Sequence, residues 1–418
     1  TINNKIYIQT KISLFIILSV LLAVNSYGQK EPTPVNIQDL GSSASAFNYG
    51  NQNGSQAKLW YNSEINTLVH IHNMGGSVGP TNQHPGNLAY DLSIDGGETW
   101  TRQIQIYDYQ EGGNLASGAQ AVVMNPMNNS NPGAAFIEYF AASPGGNYLF
   151  GIGSLGDPTD TTKHILPPDI NMGFFQGIPS DHTMSSPGVS WCVDPSYNGI
   201  EYQDQLILMR GELNTAVPDI EYEEFLVDAT CEHAVAPRIA FGPDGSVGYV
   251  FWNGNDGSIP NIDNHWSFPL LLKTNDGGET WSDDLISVEI SGANGIDAIK
   301  SYLTDQQIID IFGELLHRDS ILYVCPWFNS DIAVDAFGNP HLAVSVFVAS
   351  KSNGQLIDDP ETMAVFDLYT TNNDDQTWRG VQLGSLKTHK VTYGNDQLTD
   401  YNRLQISTNA THDKIFYT

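Results

Sequence analysis

The chain has 418 residues, with 47 Asp and Glu against 17 Lys and Arg and a formal charge of −30. A surface of that sign repels nucleic acid and anionic lipid, which are bound through basic patches, so neither is expected as a partner. Gly 39, Pro 21, Tyr 19 and Trp 8 describe short strands joined by tight turns rather than helices.

At the start, Lys5 and Lys11 precede an uncharged apolar run from Ile12 to Val24, which ends at Ser26-Tyr27-Gly28-Gln29. That is the layout of a secretory signal peptide cut at Gln29, and the run is shorter than the ~20 residues that span a bilayer. Residues 1–28 are therefore expected to be a signal peptide. Residues 29–418 are expected to form one secreted or cell-surface domain, monomeric and without membrane insertion after cleavage.

The domain opens with Lys58-Leu59-Trp60-Tyr61, a turn, Leu68-Val69-His70-Ile71-His72 and then Leu88 to Leu92. A second unit runs Ala119 to Met124, Ala134 to Tyr139 and Tyr148 to Phe150; a third runs Ser190 to Val193, Gln205 to Arg210 and Glu224 to Val227. The fourth is Pro237 to Phe241, a Pro243-Asp244-Gly245 turn, Val247 to Trp252 and Leu270 to Leu272. The fifth repeats it as Asp331 to Asp335, His341 to Val348 and Met363 to Tyr369, and a sixth begins at Arg403 to Ser407 and Lys414 to Tyr417. Turn signals every ~8–12 residues and a unit of roughly 50 residues predict an all-β propeller of six blades, or seven. Thr418 closes a strand, and a half-built blade leaves an exposed edge, so the domain is expected to continue past it.

One octet recurs. Ser93-Ile94-Asp95-Gly96-Gly97-Glu98-Thr99-Trp100 returns as Thr274-Asn275-Asp276-Gly277-Gly278-Glu279-Thr280-Trp281, and a weaker copy is Thr371-Asn372-Asn373-Asp374-Asp375-Gln376-Thr377-Trp378. Asp-Gly-Gly admits positive φ cheaply, the carboxylate can accept amides across the turn, and the Trp offers a face to pack beneath it. The octets resemble the Asp-box, or BNR repeat, of the sialidase-like β-propellers, Ser/Thr-x-Asp-x-Gly-x-Thr-Trp. The first two copies match every fixed position; the third has Asn373 for Asp and Asp375 for Gly. The resemblance implies that each box joins the last two strands of a blade at the rim and does no chemistry. It also implies kinship with secreted propellers of the Bacteroidetes type.

From Gly295 to His317, apolar residues at three- and four-residue steps predict one or two short amphipathic helices, either a lid over the axis or a packed insertion. Cys192, Cys231 and Cys325 fit no zinc spacing; buried thiols are the expectation, with a Cys192–Cys231 bridge as the alternative. His70 and His72 share one strand face, as a metal pair would, but no third ligand lies nearby in sequence. Asp256 and Asp263 sit in an oxygen-rich loop that resembles a Ca²⁺ loop without its ordered spacing, so no cofactor is expected beyond Ca²⁺ there.

In a propeller the innermost strands converge on the axis, so chemistry is sought among residues opening each unit. The resemblance implies, for a working sialidase, an arginine triad gripping the substrate carboxylate and an early Arg-Ile-Pro-like motif. No such motif exists, and Arg102, Arg379 and Arg318 fall at the rim or in the helical segment. Arg210, Arg238 and Arg403 remain as triad candidates, with Arg238 and Arg403 read as equivalent first-strand positions. Two functions follow: a non-catalytic extracellular module that binds glycan or protein, and an exo-alpha-sialidase-type glycoside hydrolase.

Overall fold

The computed structural model describes residue 40 and segments 58–74, 86–112, 114–143, 148–157, 161–166, 173–174, 178–197, 202–228, 235–254, 268–325, 330–350, 357, 362–372, 376–385, 391–393, 396–398 and 404–418. The signal-peptide expectation lies outside them. The chain divides into Thr1–Leu40 and Gly41–Thr418, and every strand among the described residues belongs to the second unit.

Strands follow one another as antiparallel neighbours. Blade 1 is β1 (Leu59–Asn62), β2 (Thr67–Asn73), β3 (Leu88–Ser93) and β4 (Thr101–Tyr107). Blade 2 is β5 (Ser117–Met124), β6 (Phe136–Ala142), β7 (Tyr148–Ser154) and β8 (Thr161–Leu166). In blade 3 a short β9 (Gly173–Phe174) extends the edge of β10 (Asp181–Ser186), β11 (Val189–Tyr197), β12 (Tyr202–Asn214) and β13 (Asp219–Asp228). Blade 4 is β14 (Val235–Phe241), β15 (Gly248–Gly254), β16 (Phe268–Thr274) and β17 (Ile286–Ser287). In blade 5, β18 (Leu322–Val324) and β19 (Ser330–Val334) both pair with β20 (Pro340–Ala349), followed by β21 (Ala364–Tyr369) and β22 (Arg379–Ser385). A hairpin of β23 (Val391–Tyr393) and β24 (Asp396–Leu398) precedes a second, β25 (Ile406–Thr408) and β26 (Ile415–Tyr417).

First strands of successive blades touch in series: β5 meets β10, β10 meets β14, β14 meets β19 and β19 meets β25. Sheets arranged face to face around a line of inner strands make an all-β propeller. Each blade is buried on both faces, so its middle strands are nearly continuous apolar runs whose alternate residues serve different neighbours. In β15, Val250 and Trp252 pack with Trp191 of blade 3, whereas Tyr249 and Phe251 pack with Leu342 and Val344 of blade 5. Separate cores likewise join blades 1 and 2, 2 and 3, and blade 5 to the last hairpin.

The helical segment forms helices Asp297–Lys300 and Asp305–Phe312. A capping box at Thr304 and Gln307 starts the second, and Gly313, at φ 78, ends it. Ile299, Leu303 and Ile308 are buried in the core shared by blades 4 and 5, so the segment is a packed insertion rather than a lid. Arg318 fastens it: Nη1 donates to the Leu303 carbonyl at 2.7 Å and Nη2 to Asp305 at 2.8 Å. Cys192 is a buried free thiol, Cys325 is buried, and Cys231 lies outside the described residues.

Candidate functional site

The two matching octets fold alike. In the first, Ser93 Oγ and Thr99 Oγ1 donate to the Asp95 carboxylate at 2.8 and 2.6 Å, and the Thr99 amide donates to it at 2.9 Å. In the second, Thr274 Oγ1, Thr280 Oγ1 and the Thr280 amide hold Asp276 at 2.7, 2.6 and 2.9 Å. The first connects β3 to β4 and the second β16 to β17, and both keep their glycine pair at positive φ. These bonds, led by the threonine hydroxyl, pull the pKa of each Asp from 3.8 to about 2. Each carboxylate is thus held by three donors from inside its own turn. The tryptophans are half-buried rather than buried, and they differ. Trp100 Nε1 donates to Gly97 O of its own turn at 3.1 Å, whereas Trp281 packs edge-on to Trp191 of blade 3, ring centroids 5.8 Å apart. Trp191 in turn lies on Gly278, where a Cβ would come within 2.2 Å of it. Of the third octet, Thr371, Thr377 and Trp378 are described, with Trp378 packed on the core of blades 4 and 5; Asn373 is not described.

The arginines do not assemble a substrate clamp among the described residues. Arg210, on β12, pairs with Glu212 at 2.5 Å and with Glu279 of the second octet at 3.2 Å, which ties blade 3 to the rim of blade 4. Arg238 lies within β14, just after a register shift and Ala236 at φ 55, and only 1% of it is exposed. Its Nη1 donates to the carbonyls of Pro237 at 3.0 Å and Ser180 at 3.2 Å. Arg403, Asp256 and Asp263 lie outside the described residues.

Two aspartates flank Arg238. Asp181 opens β10 and accepts the Ile239 amide of blade 4 at 2.9 Å; Asp331, on β19, accepts the Ile406 amide of the last hairpin at 3.0 Å. The same clasp is thus used twice, from one blade to the next. Ile406 takes the place in the last hairpin that Ile239 has in blade 4. Burial raises the Asp181 pKa, against the pull of Arg238. Burial pushes Asp331 up to about 7, with Arg238 lowering it and Asp181 raising it.

Three further polar groups lie between strands. Glu138 of blade 2 sits 3.3 Å from His182 Nε2 and accepts Ser190 Oγ at 3.2 Å, all three at most 1% exposed. Ser190 Oγ thus bonds Glu138, and lies 3.2 Å from Tyr222 Oη, rather than meeting the imidazole. His341 Nδ1 meets Asp367 at 3.0 Å and its ring stacks on Tyr369. The third is the pair the sequence singled out: His70 and His72 lie with Asp91 of the adjacent β3, His72 Nε2 being 3.2 Å and His70 Nδ1 3.6 Å from Asp91 Oδ2. A cleft of about 760 Å³ lies elsewhere, beneath the helical insertion, where Lys300 and Arg318 are paired with Asp297, Asp319 and Asp305. It has bulk without an uncommitted polar group.

Asp181, Asp331 and Glu138 were not singled out by sequence reasoning. Asp331 alone carried a local signal, as the first residue of an apolar strand after a turn.

No protein-family model matches the chain, and no curated protein matches it. Among solved structures it is similar to the Trypanosoma rangeli sialidase in complex with sialic acid, at 10% identity and TM-score 0.39, covering 86% of this chain and 51% of that one. This chain thus spans about half that protein's length. It is also similar to the alpha-L-arabinofuranosidase of Fusarium graminearum, at 10% identity and TM-score 0.37, over 79% of this chain and 93% of that one. The SapL1 lectin in complex with alpha methyl fucoside is similar at 10% identity and TM-score 0.35, over 78% of this chain and 79% of that one. The propeller assignment rests on strand order and blade-to-blade cores, not on these likenesses.

Proposed function

We propose that this protein is a secreted or cell-surface propeller that binds glycan or an extracellular protein on one face of the disc, without catalysis. The supporting observation is that Arg238, the best-placed arginine for gripping a substrate carboxylate, is 1% exposed and has its Nη1 bonded to two backbone carbonyls. A buried guanidinium so held is blade-to-blade structure. Octets whose carboxylates hold their own turns agree with a scaffold whose ligands are met by loops.

A sialidase-type hydrolase is the second reading, and one observation favours it. Asp331, pushed up to about 7, holds its proton near neutral pH as a general acid must. Incubating the purified full-length protein with a glycan array, and then analysing the bound glycans for release, separates the two. Saturable retention of intact glycans is expected. Release of a monosaccharide from a retained glycan contradicts the binding reading, and retention of none removes its glycan arm.

A further inference from the structure

Blade 1 departs from its neighbours on one face. In β2, Val69 and Ile71 face blade 2 and join its core, while His70 and His72 alternate onto the opposite face. Asp91 stands directly across from His70 in the β2–β3 register, so the three side chains share that face. They are 8%, 2% and 1% exposed, and one ligand atom from each lies within 4.8 Å of the others. This convergence is the only one of its kind among the described residues.

One atom of His72 and one of Asp91 are already engaged. His72 Nδ1 lies 2.8 Å from the Asn73 carbonyl, which can only accept, so Nδ1 carries the proton and Nε2 presents its lone pair. That Nε2 is buried, faces Asp91 Oδ2 at 3.2 Å without hydrogen-bond alignment, and has no other partner. Asp91 Oδ1 is already occupied by the Gln103 amide at 2.8 Å, which turns Oδ2 toward the histidines. A bulge in the β3–β4 pairing and the left-handed Gln103, at φ 57, deliver that amide. A lone pair and a carboxylate oxygen facing each other out of water repel unless a cation, a proton or a metal ion, stands between them. A neutral imidazole with its second nitrogen anchored to a carbonyl is the arrangement that metal-ligating histidines adopt.

We propose that His70, His72 and Asp91 bind one Zn²⁺ ion through His70 Nδ1, His72 Nε2 and Asp91 Oδ2. Bonds of ~2.0–2.1 Å place tetrahedral zinc ligands roughly 3.4 Å apart. Separations of 3.2 and 3.6 Å bracket that spacing, so rotamer adjustment of His70 completes the set. Two imidazoles and one carboxylate suit a borderline divalent ion better than Ca²⁺, which takes six or more oxygens. The fourth position is left for water or an anion.

The test is titration of the EDTA-treated full-length protein with Co²⁺, a spectroscopic substitute for Zn²⁺, and then with Zn²⁺. One equivalent is expected to give the intense visible bands of tetrahedral cobalt, which Zn²⁺ should abolish. His72→Gln and Asp91→Asn should each lose the bands and weaken Zn²⁺ binding beyond the ~10–100-fold that loss of even an outer partner costs. Zn²⁺ should also raise the melting temperature of the wild type and leave that of His72→Gln unchanged. A pale octahedral spectrum in the wild type overturns the proposal, because that measurement does not depend on the variants folding. So does a tetrahedral spectrum that survives in folded His72→Gln.

Discussion

Aspartate has opposite roles at the rim and at the axis. At the rim, Asp95 and Asp276 face water, take hydroxyl and amide donors from within their own octets, and have pKa values drawn down to about 2. At the axis, Asp181 and Asp331 each accept an amide from the next blade and are packed around Arg238, with pKa values driven upward by burial. The rim carboxylates close local turns. The axial carboxylates join separate blades, so their worth depends on a guanidinium that no local motif announces.

The comparison breaks most visibly at Arg238. Arg238→Met removes two charged hydrogen bonds, to the Ser180 and Pro237 carbonyls, and should cost ~3–5 kcal/mol, read as a lowered denaturation midpoint. A loss below about 1 kcal/mol would mean that the axial group is not a clasp.

The two octets sharpen it next. Trp281→Ala should cost roughly 2–4 kcal/mol, because its indole bridges blades 3 and 4 through Trp191 and Phe241. Trp100→Ala should cost about 1–2 kcal/mol, since the Trp100 hydrogen bond stays within its own turn. Equal losses in chemical denaturation would erase the distinction.

pH acts with opposite signs at the two places. The folded pKa of Asp331, about 7, exceeds the ordinary 3.8, so the folded state binds more protons between these values and stability falls as pH rises across that window. Asp95 and Asp276, lowered from 3.8 to about 2, contribute stability that is present above pH 4 and lost as pH falls through about 2. The Asp331 slope is at most ~1.4 kcal/mol per pH unit. Asp331→Asn should flatten the slope between pH 4 and 7 in thermal melts, while Asp276→Asn leaves it unchanged.

Much of the fold was legible because blades buried on both faces write long apolar runs. Val247 to Trp252 and His341 to Val348 marked their strands, and the Gly-containing octets marked the turns between third and fourth strands. β10, Asp181-His182-Thr183-Met184-Ser185-Ser186, was missed because its residues are polar, and the third blade was therefore read as starting one strand late. β8, Thr161–Leu166, was missed as well, lying as it does at a blade's outer edge where little apolar patterning is needed. The candidate sites were less legible. His70 and His72 were visible as an alternating pair, but Asp91 joins them only through cross-strand register. Asp181, Arg238 and Asp331 are brought together by the order of blades around the axis, which no window of sequence contains.

The most direct test of the central claim, that Arg238 is structure rather than a substrate clamp, is turnover of a fluorogenic sialoside by the full-length protein. The account predicts release no faster than in buffer. Turnover that is present in the wild type, and abolished in a folded Arg238→Ala variant, would contradict it.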